Sequence, residues 1–435
     1  MKKITIIGTG YVGLVSGAGL SDFGNNVCCS DINKEKIELL NKGVIPLYEP
    51  SLYELVNRNV KSKRLKFSDN VEDSIQSAEV IFIAVGTPED KTGNADITTV
   101  LQVAELIGKN LNNYKVICTK STVPVGTGKK IIDVINKYNQ NNIEFDYCSN
   151  PEFLREGKAV SDFLHPDRVV LGVTSIKAYD YMKAVYRTLY INKTPLIQTT
   201  IETAEMIKYA ANAFLALKIS YINEVANLCD EIGADINIVT EALGSDGRIS
   251  PKFLNPGPGF GGSCFPKDTK ALIRIAKKHN LDMYTVDAAI KANENQKIRM
   301  LNKLEKLLKG NFNKKKIGIL GLAFKQETDD VRESSAIYMI SGLIKRGANI
   351  KAYDPIANDS MKKLIPEIDY KLNWESAVED CDAVVIMTEW NEFRGIDLSK
   401  LKELMCSPII LDTRNILNII ELKRLDFTFD NVGRK

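Results

Sequence analysis

A glycine turn near the N-terminus constrains the fold of this chain more than any other sequence feature. Gly8, Gly10 and Gly13 form the pattern G-x-G-x-x-G directly after the apolar run KITII and at the start of a helical stretch. The first glycine permits a tight turn, the second lets the backbone approach a pyrophosphate, and the third lets helix and strand pack closely. The helix N-terminus then faces the phosphate charge. The pattern predicts a dinucleotide-binding α/β fold.

Short apolar runs alternate with helical stretches around this turn. The predicted strands are KITIIG, NNVCCSD, EVIFIAV and KVICTKST. The predicted helices between them are GYVGLVSGAGLSDFG, INKEKIELLNKG and TTVLQVAELIGKNL. Strands that are apolar almost throughout and separated by helices predict a parallel sheet covered on both faces.

The pattern changes twice further along the chain. From Glu202 to about Ile232 the sequence predicts one long helix without glycine or proline, followed by further helical segments. After Lys316 the strand-helix rhythm returns, with the runs KIGILGLAF, ANIKAYDP, DAVVIMTEW and SPIILDTR. We therefore predict two Rossmann-like doubly wound domains, residues 1–200 and 311–435. A long central helix and a helical spacer, residues 201–310, join them and offer a surface for a homodimer.

Composition narrows the classes of partner. The formal net charge of +3 is too small and dispersed to favour nucleic acid or a membrane surface. No run of about eighteen apolar residues predicts a membrane span, and the glycines near the N-terminus fit a strand and helix better than a signal peptide. The eight cysteines show no paired framework, which favours a reducing cytoplasm.

Asp31 ends the second predicted strand and answers the glycine turn. A carboxylate there accepts hydrogen bonds from ribose hydroxyls and repels a 2′-phosphate, so NAD is predicted rather than NADP. Lys36, about one helical turn onward, is either a neighbour of the ribose or adenine or a solvated lysine. Thr87 and Thr122 follow predicted strands at the edge where ligands bind in such sheets.

The most distinctive segment is GPGFGGSCFPKD, residues 257–268. Pro266 favours the first turn of a helix, which places Cys264 at or beside the N-cap. Backbone N–H groups and the helix dipole stabilise a thiolate there, as a nucleophilic cysteine requires. The alternative interpretation is a buried structural cysteine after a flexible loop.

A histidine base is not evident, because His165 precedes a proline and His279 ends a lysine-rich helix. Proton transfer is therefore assigned to carboxylates, lysine or water. Lys208 and Asn212 are four residues apart on the long predicted helix and share a face. Together they could hold an oxyanion, although a lysine reaching solvent is the alternative. No metal site is predicted.

Taken together, these segments resemble the nucleotide-sugar dehydrogenases and, within that group, the UDP-glucose 6-dehydrogenases. The resemblance covers essentially the whole chain and has a specific order and spacing. It is carried by GTGYVGL, STVPVG, NPEFLREG, HPDRVVLG, EMIKYAANAFLALKISYINE, RISPKFLNPGPGFGGSCFPKD and GLAFKQETDDVRESS.

The resemblance implies a catalytic role for six residues. Cys264 is implied as the nucleophile and Asp268 as its companion in proton handling. Lys208 and Asn212 are implied to stabilise an oxyanion. The other two implied positions order the active-site water, with the glutamate as base for thioester hydrolysis: Thr122 and Glu152.

The resemblance also implies ligand contacts. The residues implied to bind NAD are Gly8, Gly10, Tyr11, Val12, Gly13, Asp31, Lys36, Thr87, Thr122, Glu156, Lys267 and Arg332. The residues implied to bind the UDP-sugar are Glu152, Phe153, Leu154, Lys208, Asn212, Arg248, Phe253, Leu254, Asn255, Gly261, Phe324, Lys325 and Arg414. Of these, Arg248 is implied to come from the partner of a homodimer, and Arg414 matches its family position less closely.

The implied reaction is a four-electron oxidation of UDP-glucose to UDP-glucuronate through a cysteine thiohemiacetal and thioester. One alternative is the same chemistry on another nucleotide sugar, a UDP-N-acetyl-hexosamine or GDP-mannose. A second is a two-electron hydroxyacid dehydrogenase, which would lack the cysteine loop and the second α/β domain. A third is a nucleotide-sensing or scaffold protein, which nothing in the sequence supports.

Overall fold

The chain folds into two compact units, Met1–Ala211 and Asn212–Lys435. The structure is a computed structural model that describes residues 1–90 and 95–434. Among these residues, no helix combines the length and apolar composition that a bilayer span requires. Helix α9, Ile201–Ile232, starts in the first unit and ends in the second. The predicted helix beginning at Glu202 is confirmed.

The first unit is built on an eight-stranded sheet in the order β3-β2-β1-β4-β5-β6-β7-β8. All neighbours are parallel except β6 and β7, which are antiparallel. The four predicted strands are β1, β2, β4 and β5. The strand bounds are β1 Lys3–Ile7, β2 Asn26–Ser30, β3 Leu65–Ser68, β4 Val80–Ile83, β5 Lys115–Thr119, β6 Phe145–Ser149, β7 Val169–Val173 and β8 Leu196–Thr199.

Helices cover this sheet, and several start at side-chain caps that satisfy free N–H groups. Asn33 caps α2, Asn70 caps α4 and Ser175 caps α8. The helix bounds are α1 Tyr11–Asp22, α2 Lys34–Asn41, α3 Leu52–Lys61, α4 Val71–Ser77, α5 Thr98–Asn110, α6 Thr127–Tyr138, α7 Ala159–Leu164 and α8 Ile176–Val185, with a 3₁₀ turn at Arg187–Tyr190. One apolar cluster lies on each face of the sheet, as two-sided cover requires.

The second unit contains a six-stranded sheet whose neighbouring strands are all parallel, in the order β11-β10-β9-β12-β13-β14. The strand bounds are β9 Lys316–Leu320, β10 Asn349–Tyr353, β11 Asp369–Tyr370, β12 Ala383–Ile386, β13 Ile409–Asp412 and β14 Thr428–Asp430. The helix bounds are α10 Ile236–Ser245, α11 Phe265–Lys278, α12 Tyr284–Leu307, α13 Ser335–Lys345, α14 Asn358–Lys362, α15 Trp374–Val378, α16 Asn391–Arg394, α17 Leu398–Leu404 and α18 Ile419–Arg424.

The two sheets treat their first glycine turn differently. In the first unit α1 begins three residues after Gly8, whereas residues 321–334 separate β9 from α13. Gly321 keeps the left-handed backbone, at φ +99°, and a Cβ there would lie 2.1 Å from Thr388 Oγ1. The prediction of two Rossmann-like sheets joined by a helical region is confirmed, and the second sheet lacks a helix that starts at its glycine turn.

Candidate active site

The glycine turn has the geometry of a dinucleotide site. Gly8 has φ +102°, and a Cβ there would lie 2.7 Å from the Ala84 carbonyl oxygen. A Cβ on Gly13 would lie 1.9 Å from the Gly8 carbonyl oxygen, so a side chain would separate helix from turn. A Cβ on Gly10, the N-cap of α1, would have nothing within 4 Å. Open space at a helix N-terminus fits the pyrophosphate of a dinucleotide.

Asp31 lies immediately after β2 and is fixed by the turn that precedes α1. Its Oδ2 accepts hydrogen bonds of 2.8 Å from both the N–H and the hydroxyl of Thr9, and its Oδ1 accepts one from Asn33 N–H. Burial alone raises the pKa of Asp31, but these bonds and the Lys36 charge outweigh it and lower the pKa. Lys36 Nζ lies 4.0 Å from Asp31 Oδ2. A fixed, ionised carboxylate here fits the ribose of NAD.

The ends of β4 and β5 are tied together beside this turn. The Thr87 hydroxyl donates to the Thr122 carbonyl oxygen at 2.8 Å, and the Ser121 hydroxyl donates to the Val85 carbonyl oxygen at 2.6 Å. The structure thus brings Thr87 and Thr122 together, as their positions after neighbouring strands predicted.

Tyr11 and Val12 form the first turn of α1. The Tyr11 hydroxyl donates to Glu49, a glutamate that also accepts from Gly157 and Ala159 N–H at the start of α7. Burial and the Glu49 partner raise the pKa of Tyr11, and the charge of Glu156 acts in the same direction. Tyr11 and Glu156 are therefore neighbours, and Glu49 anchors this region although the sequence gave no signal for it.

Glu152 and Lys208 form a buried ion pair within the first unit. Lys208 Nζ lies 2.9 Å from Glu152 Oε1, and both side chains are under a tenth exposed. The second carboxylate oxygen accepts from Leu154 N–H at 2.5 Å. Lys208 therefore turns inward from α9, and the alternative of a lysine reaching solvent is excluded. Phe153, next in the chain, stacks under the Arg168 guanidinium at 3.6 Å.

Opposing effects set the ionisation of Glu152. Burial raises its pKa, but the charge and hydrogen bond of Lys208, the Leu154 N–H and the charge of Lys120 together lower it below the ordinary value. Lys120 is itself buried, which lowers its own pKa, and it donates to Asn150 Oδ1 at 3.1 Å. Glu152 is thus held as a carboxylate, able to accept a proton.

In the second unit, Cys264 is the N-cap of α11 and Pro266 lies in the first turn, as the sequence predicted. The cysteine is partly exposed, unlike six of the other cysteines in the described chain, which are buried. A thiol at this position faces the positive end of the helix dipole, which favours the thiolate. The placement suits a nucleophile better than a structural core cysteine.

Asp268 lies one turn into α11 and is 1% exposed. Its Oδ2 accepts from Asn212 Nδ2 at 2.6 Å, and Lys267 Nζ lies 2.6 Å from its Oδ1. Asn212 therefore donates to a carboxylate in this structure, and Lys267 is held against the same group. The carboxylate and the thiol start from the same helical turn, since Asp268 N–H donates to the Cys264 carbonyl oxygen.

Three buried amide side chains fix the glycine-rich loop before Cys264, and sequence reasoning missed them. Asn223 Oδ1 accepts from Gly257 N–H, and Gln296 Nε2 donates to the Gly257 carbonyl oxygen, both at 2.8 Å. Asn293 accepts from Phe260 N–H and donates to the Phe260 carbonyl oxygen. The signal was three polar residues on the buried faces of α9 and α12, where burial requires a partner. The loop is ordered, not flexible.

Several predicted substrate residues line this loop and the second sheet. A Cβ on Gly261 would lie 2.3 Å from the Glu333 carbonyl oxygen, and one on Gly262 would lie 2.9 Å from the Phe324 ring. Arg414 donates to the carbonyl oxygens of Met387 and Phe324, each at 2.8 Å. The structure therefore brings Gly261, Phe324 and Arg414 into one neighbourhood.

The remaining predicted residues of the second unit differ in exposure. Phe253 has a left-handed backbone and packs edge-on against Phe265, Leu254 is buried, and Asn255 is exposed. Lys325 Nζ lies 5.7 Å from the Phe324 ring centre. The two exposed arginines each pair with an aspartate two residues earlier, Arg248 with Asp246 and Arg332 with Asp330.

Comparison with known proteins gives consistent matches. Three profiles of the UDP-glucose/GDP-mannose dehydrogenase family match in order: the NAD binding domain at residues 2–190, the central domain at 202–295 and the UDP binding domain at 318–419. UDP-glucose 6-dehydrogenase TuaD of Bacillus subtilis is 46% identical, over 100% of this chain and 94% of its own.

Solved structures match over similar lengths. A UDP-glucose dehydrogenase from Pyrobaculum islandicum has a TM-score of 0.92 and 34% identity, with 100% of this chain and 98% of that chain covered. A UDP-D-ManNAc dehydrogenase from Pyrococcus horikoshii has a TM-score of 0.87 and 27% identity, with 99% of each chain covered.

Proposed function

The chain belongs to the UDP-glucose/GDP-mannose dehydrogenase family, and from that premise we propose that it oxidises UDP-glucose to UDP-glucuronate with two molecules of NAD. The observation that carries the proposal is Cys264 at the N-cap of α11, with Asp268 one turn away. A two-electron alcohol dehydrogenase has no use for such a thiol. A relative 46% identical over the full chain is named for the same reaction.

The thiol makes the second oxidation possible. NAD, bound at the glycine turn, supplies the hydride acceptor. Cys264 attacks the C6 aldehyde left by the first oxidation, so a carbon–sulfur bond forms and the carbonyl oxygen takes up a proton. The tetrahedral carbon keeps one hydrogen, which leaves as the second hydride, and the carbon becomes a thioester. Water then displaces the sulfur and releases the carboxylate.

The buried charged groups divide the remaining work. Glu152, held as a carboxylate by Lys208, accepts the proton of the attacking water, and Thr122 orders that water. Lys208 and Asn212 are one helical turn apart on α9, and they stabilise the negative oxygen that develops at C6. Asp268 takes part in proton exchange with the thiol. Phe153, Leu154, Phe253, Leu254, Asn255, Gly261, Phe324, Lys325 and Arg414 bind the UDP-sugar.

The decisive measurement is stoichiometry. We expect two NADH for each UDP-glucose consumed, with UDP-glucuronate as the only sugar product. NADP should support a much lower rate, because Asp31 repels its 2′-phosphate. One NADH per sugar, or an aldehyde product, would contradict the four-electron mechanism.

The second candidate is the same chemistry on another nucleotide sugar. It is favoured by the structural likeness to the Pyrococcus horikoshii protein, which is named for UDP-D-ManNAc. A panel of UDP-glucose, UDP-N-acetyl-mannosamine and GDP-mannose at equal concentration separates the candidates. We expect kcat/KM to be highest for UDP-glucose, and a higher value for either of the others would reassign the substrate.

A homodimer formed through α9 is the proposed assembly. Phe214, Tyr221 and Leu228 recur every seven residues, or two helical turns, and are 61%, 54% and 58% exposed. An apolar stripe this exposed is typical of an interface. Arg248, 90% exposed on its side chain, would enter the partner's substrate site. We also propose a cytoplasmic location, supported by the absence of any disulfide bond within the described residues, and the three-domain division 1–200, 201–310 and 311–435.

Leu228→Glu should convert the dimer to a monomer. Each subunit would lose an apolar contact of about 2 kcal/mol and gain a buried charge, so dissociation should rise by at least ~100-fold. Light scattering coupled to gel filtration measures the mass. Leu281→Glu is the matched control, because Leu281 is 63% exposed but lies between α11 and α12. An unchanged mass for Leu228→Glu would refute the α9 interface.

A further inference from the structure

Glu205 is a buried carboxylate on α9 that the chemistry above does not use. It is 2% exposed. Its Oε2 accepts from Gly126 N–H at 2.6 Å, and its Oε1 accepts from Gly128 N–H at 2.7 Å. Gly126 is the N-cap of α6, so both carboxylate oxygens bind the free N–H groups at that helix start. The side chain thus ties α9 to the beginning of α6.

The turn that ends at these glycines carries Thr122. It starts after β5, where the Thr87 hydroxyl holds the Thr122 carbonyl oxygen. It closes where Thr127 donates to the Pro124 carbonyl oxygen from both its N–H, at 3.0 Å, and its hydroxyl, at 2.6 Å. Gly126 has a left-handed backbone, at φ +89°. Glu205 therefore holds the end of the turn opposite Thr87.

Glu205 and Lys208 lie within one turn of α9 and serve adjacent strands. Lys208 holds Glu152, which follows β6, and Glu205 holds the turn that follows β5. Strands β5 and β6 are neighbours in the sheet. One turn of α9 therefore fixes the ends of both strands.

We propose that Glu205 is a positioning residue whose carboxylate fixes the turn carrying Thr122, while Lys208 fixes Glu152 from the same helical turn. The inference rests on the proposed function, in which Thr122 and Glu152 act on the water that hydrolyses the thioester. A shift of about 1 Å in such a group can cost ~100-fold in rate. Glu205 acts on the reaction only through the backbone of this turn.

The surroundings of Glu205 make the contact sensitive to pH. It faces the N–H groups of α6, Tyr147 of β6, and Glu202 and Lys208 on its own helix. Burial raises the pKa of Glu205 to about 7, against the lowering effect of the two glycine N–H groups. A protonated carboxyl has a hydroxyl in place of one acceptor, so one of the two bonds is lost below that pH. Because the folded pKa exceeds the unfolded value, this group opposes folding increasingly as pH rises towards 7.

Glu205→Gln tests the proposal, with Glu202→Gln as the matched control on the same helix. At pH 8 we expect the Glu205 variant to lose about 10- to 100-fold in kcat, with the KM for UDP-glucose changed by less than about twofold. Between pH 6 and 8 its kcat should lose the component that rises near 7 in the wild type. Amide hydrogen exchange at residues 126 and 128 should accelerate by at least ~10-fold. The control should match the wild type in all three measurements.

Exchange in the wild-type protein gives an answer even if the variant fails to fold. Protection of the amides of residues 126 and 128, relative to their intrinsic rates, should fall between pH 8 and pH 6. Unchanged protection in both experiments, or a wild-type kcat profile in Glu205→Gln, would overturn the role of Glu205. Since exchange needs no substrate, failure to oxidise UDP-glucose would instead overturn the proposed function.

Discussion

Replacing Cys264 by alanine will abolish net formation of UDP-glucuronate. Without the thiol, the aldehyde cannot become a tetrahedral carbon bonded to the protein, and the second hydride has no donor. Removal of a covalent nucleophile typically costs several orders of magnitude, so kcat should fall by at least ~10³-fold. NADH absorbance, together with chromatography of the sugar nucleotides, measures the loss.

Cys264→Ser sharpens this test, because a hydroxyl at the N-cap keeps a weaker nucleophile in place. We expect slow formation of a bound intermediate, visible as added mass on the intact protein after mixing with UDP-glucose and NAD. Cys406→Ala is the control, since Cys406 is exposed and lies after α17. A Cys264→Ala enzyme that still produced two NADH per sugar would end the covalent mechanism.

Local patterns explain which parts of the fold and site could be predicted. The glycine turn, Asp31 and the Cys264 N-cap depend on residues within one strand, turn or helix start. Their spacing alone sets the geometry, because each backbone conformation follows from a few neighbouring residues. The structure places Asp31 beside Thr9 and Cys264 at the start of α11 for this reason.

Parts that depend on distant segments could not be predicted. The amides that hold the Gly257 loop, Asn223 and Gln296, lie 34 and 39 residues away in the sequence. Nothing local distinguishes them from polar residues on the surface of a helix. Glu205 is a similar case, since its partners Gly126 and Gly128 are 79 and 77 residues away.

Four strands of the first sheet also went unpredicted. Strand β3 is a short edge strand with a lysine exposed in its middle, and β6 contains an aspartate, so neither forms an apolar run. Strand β7 pairs with β6 in the antiparallel sense, which strand-helix alternation cannot predict. The parallel core β1, β2, β4 and β5 was predictable because its residues are buried almost throughout.

Lys208→Ala should damage both stability and catalysis. The variant leaves the buried Glu152 carboxylate without its cationic partner, which typically costs about 3–5 kcal/mol in the free energy of unfolding. It also removes a donor for the developing oxyanion, which typically lowers kcat by ~10²- to 10³-fold. Chemical denaturation and steady-state kinetics measure the two effects. Lys291→Ala is the control, because its pair with Asp287 is on the surface, with side chains 73% and 49% exposed, and should contribute less than about 1 kcal/mol.

The double variant Lys208→Met with Glu152→Gln separates the two effects. No charge is then left buried without a partner, so most of the lost stability should return. Activity should not return, because both the cation at C6 and the base for water are gone. The lowered pKa of Glu152 gives a further check: stabilisation by the wild-type pair is present at neutral pH and is lost as pH falls through that pKa. The stability advantage of the wild type over the double variant should therefore shrink in acid. Recovery of activity in the double variant would show that the pair only supports the fold.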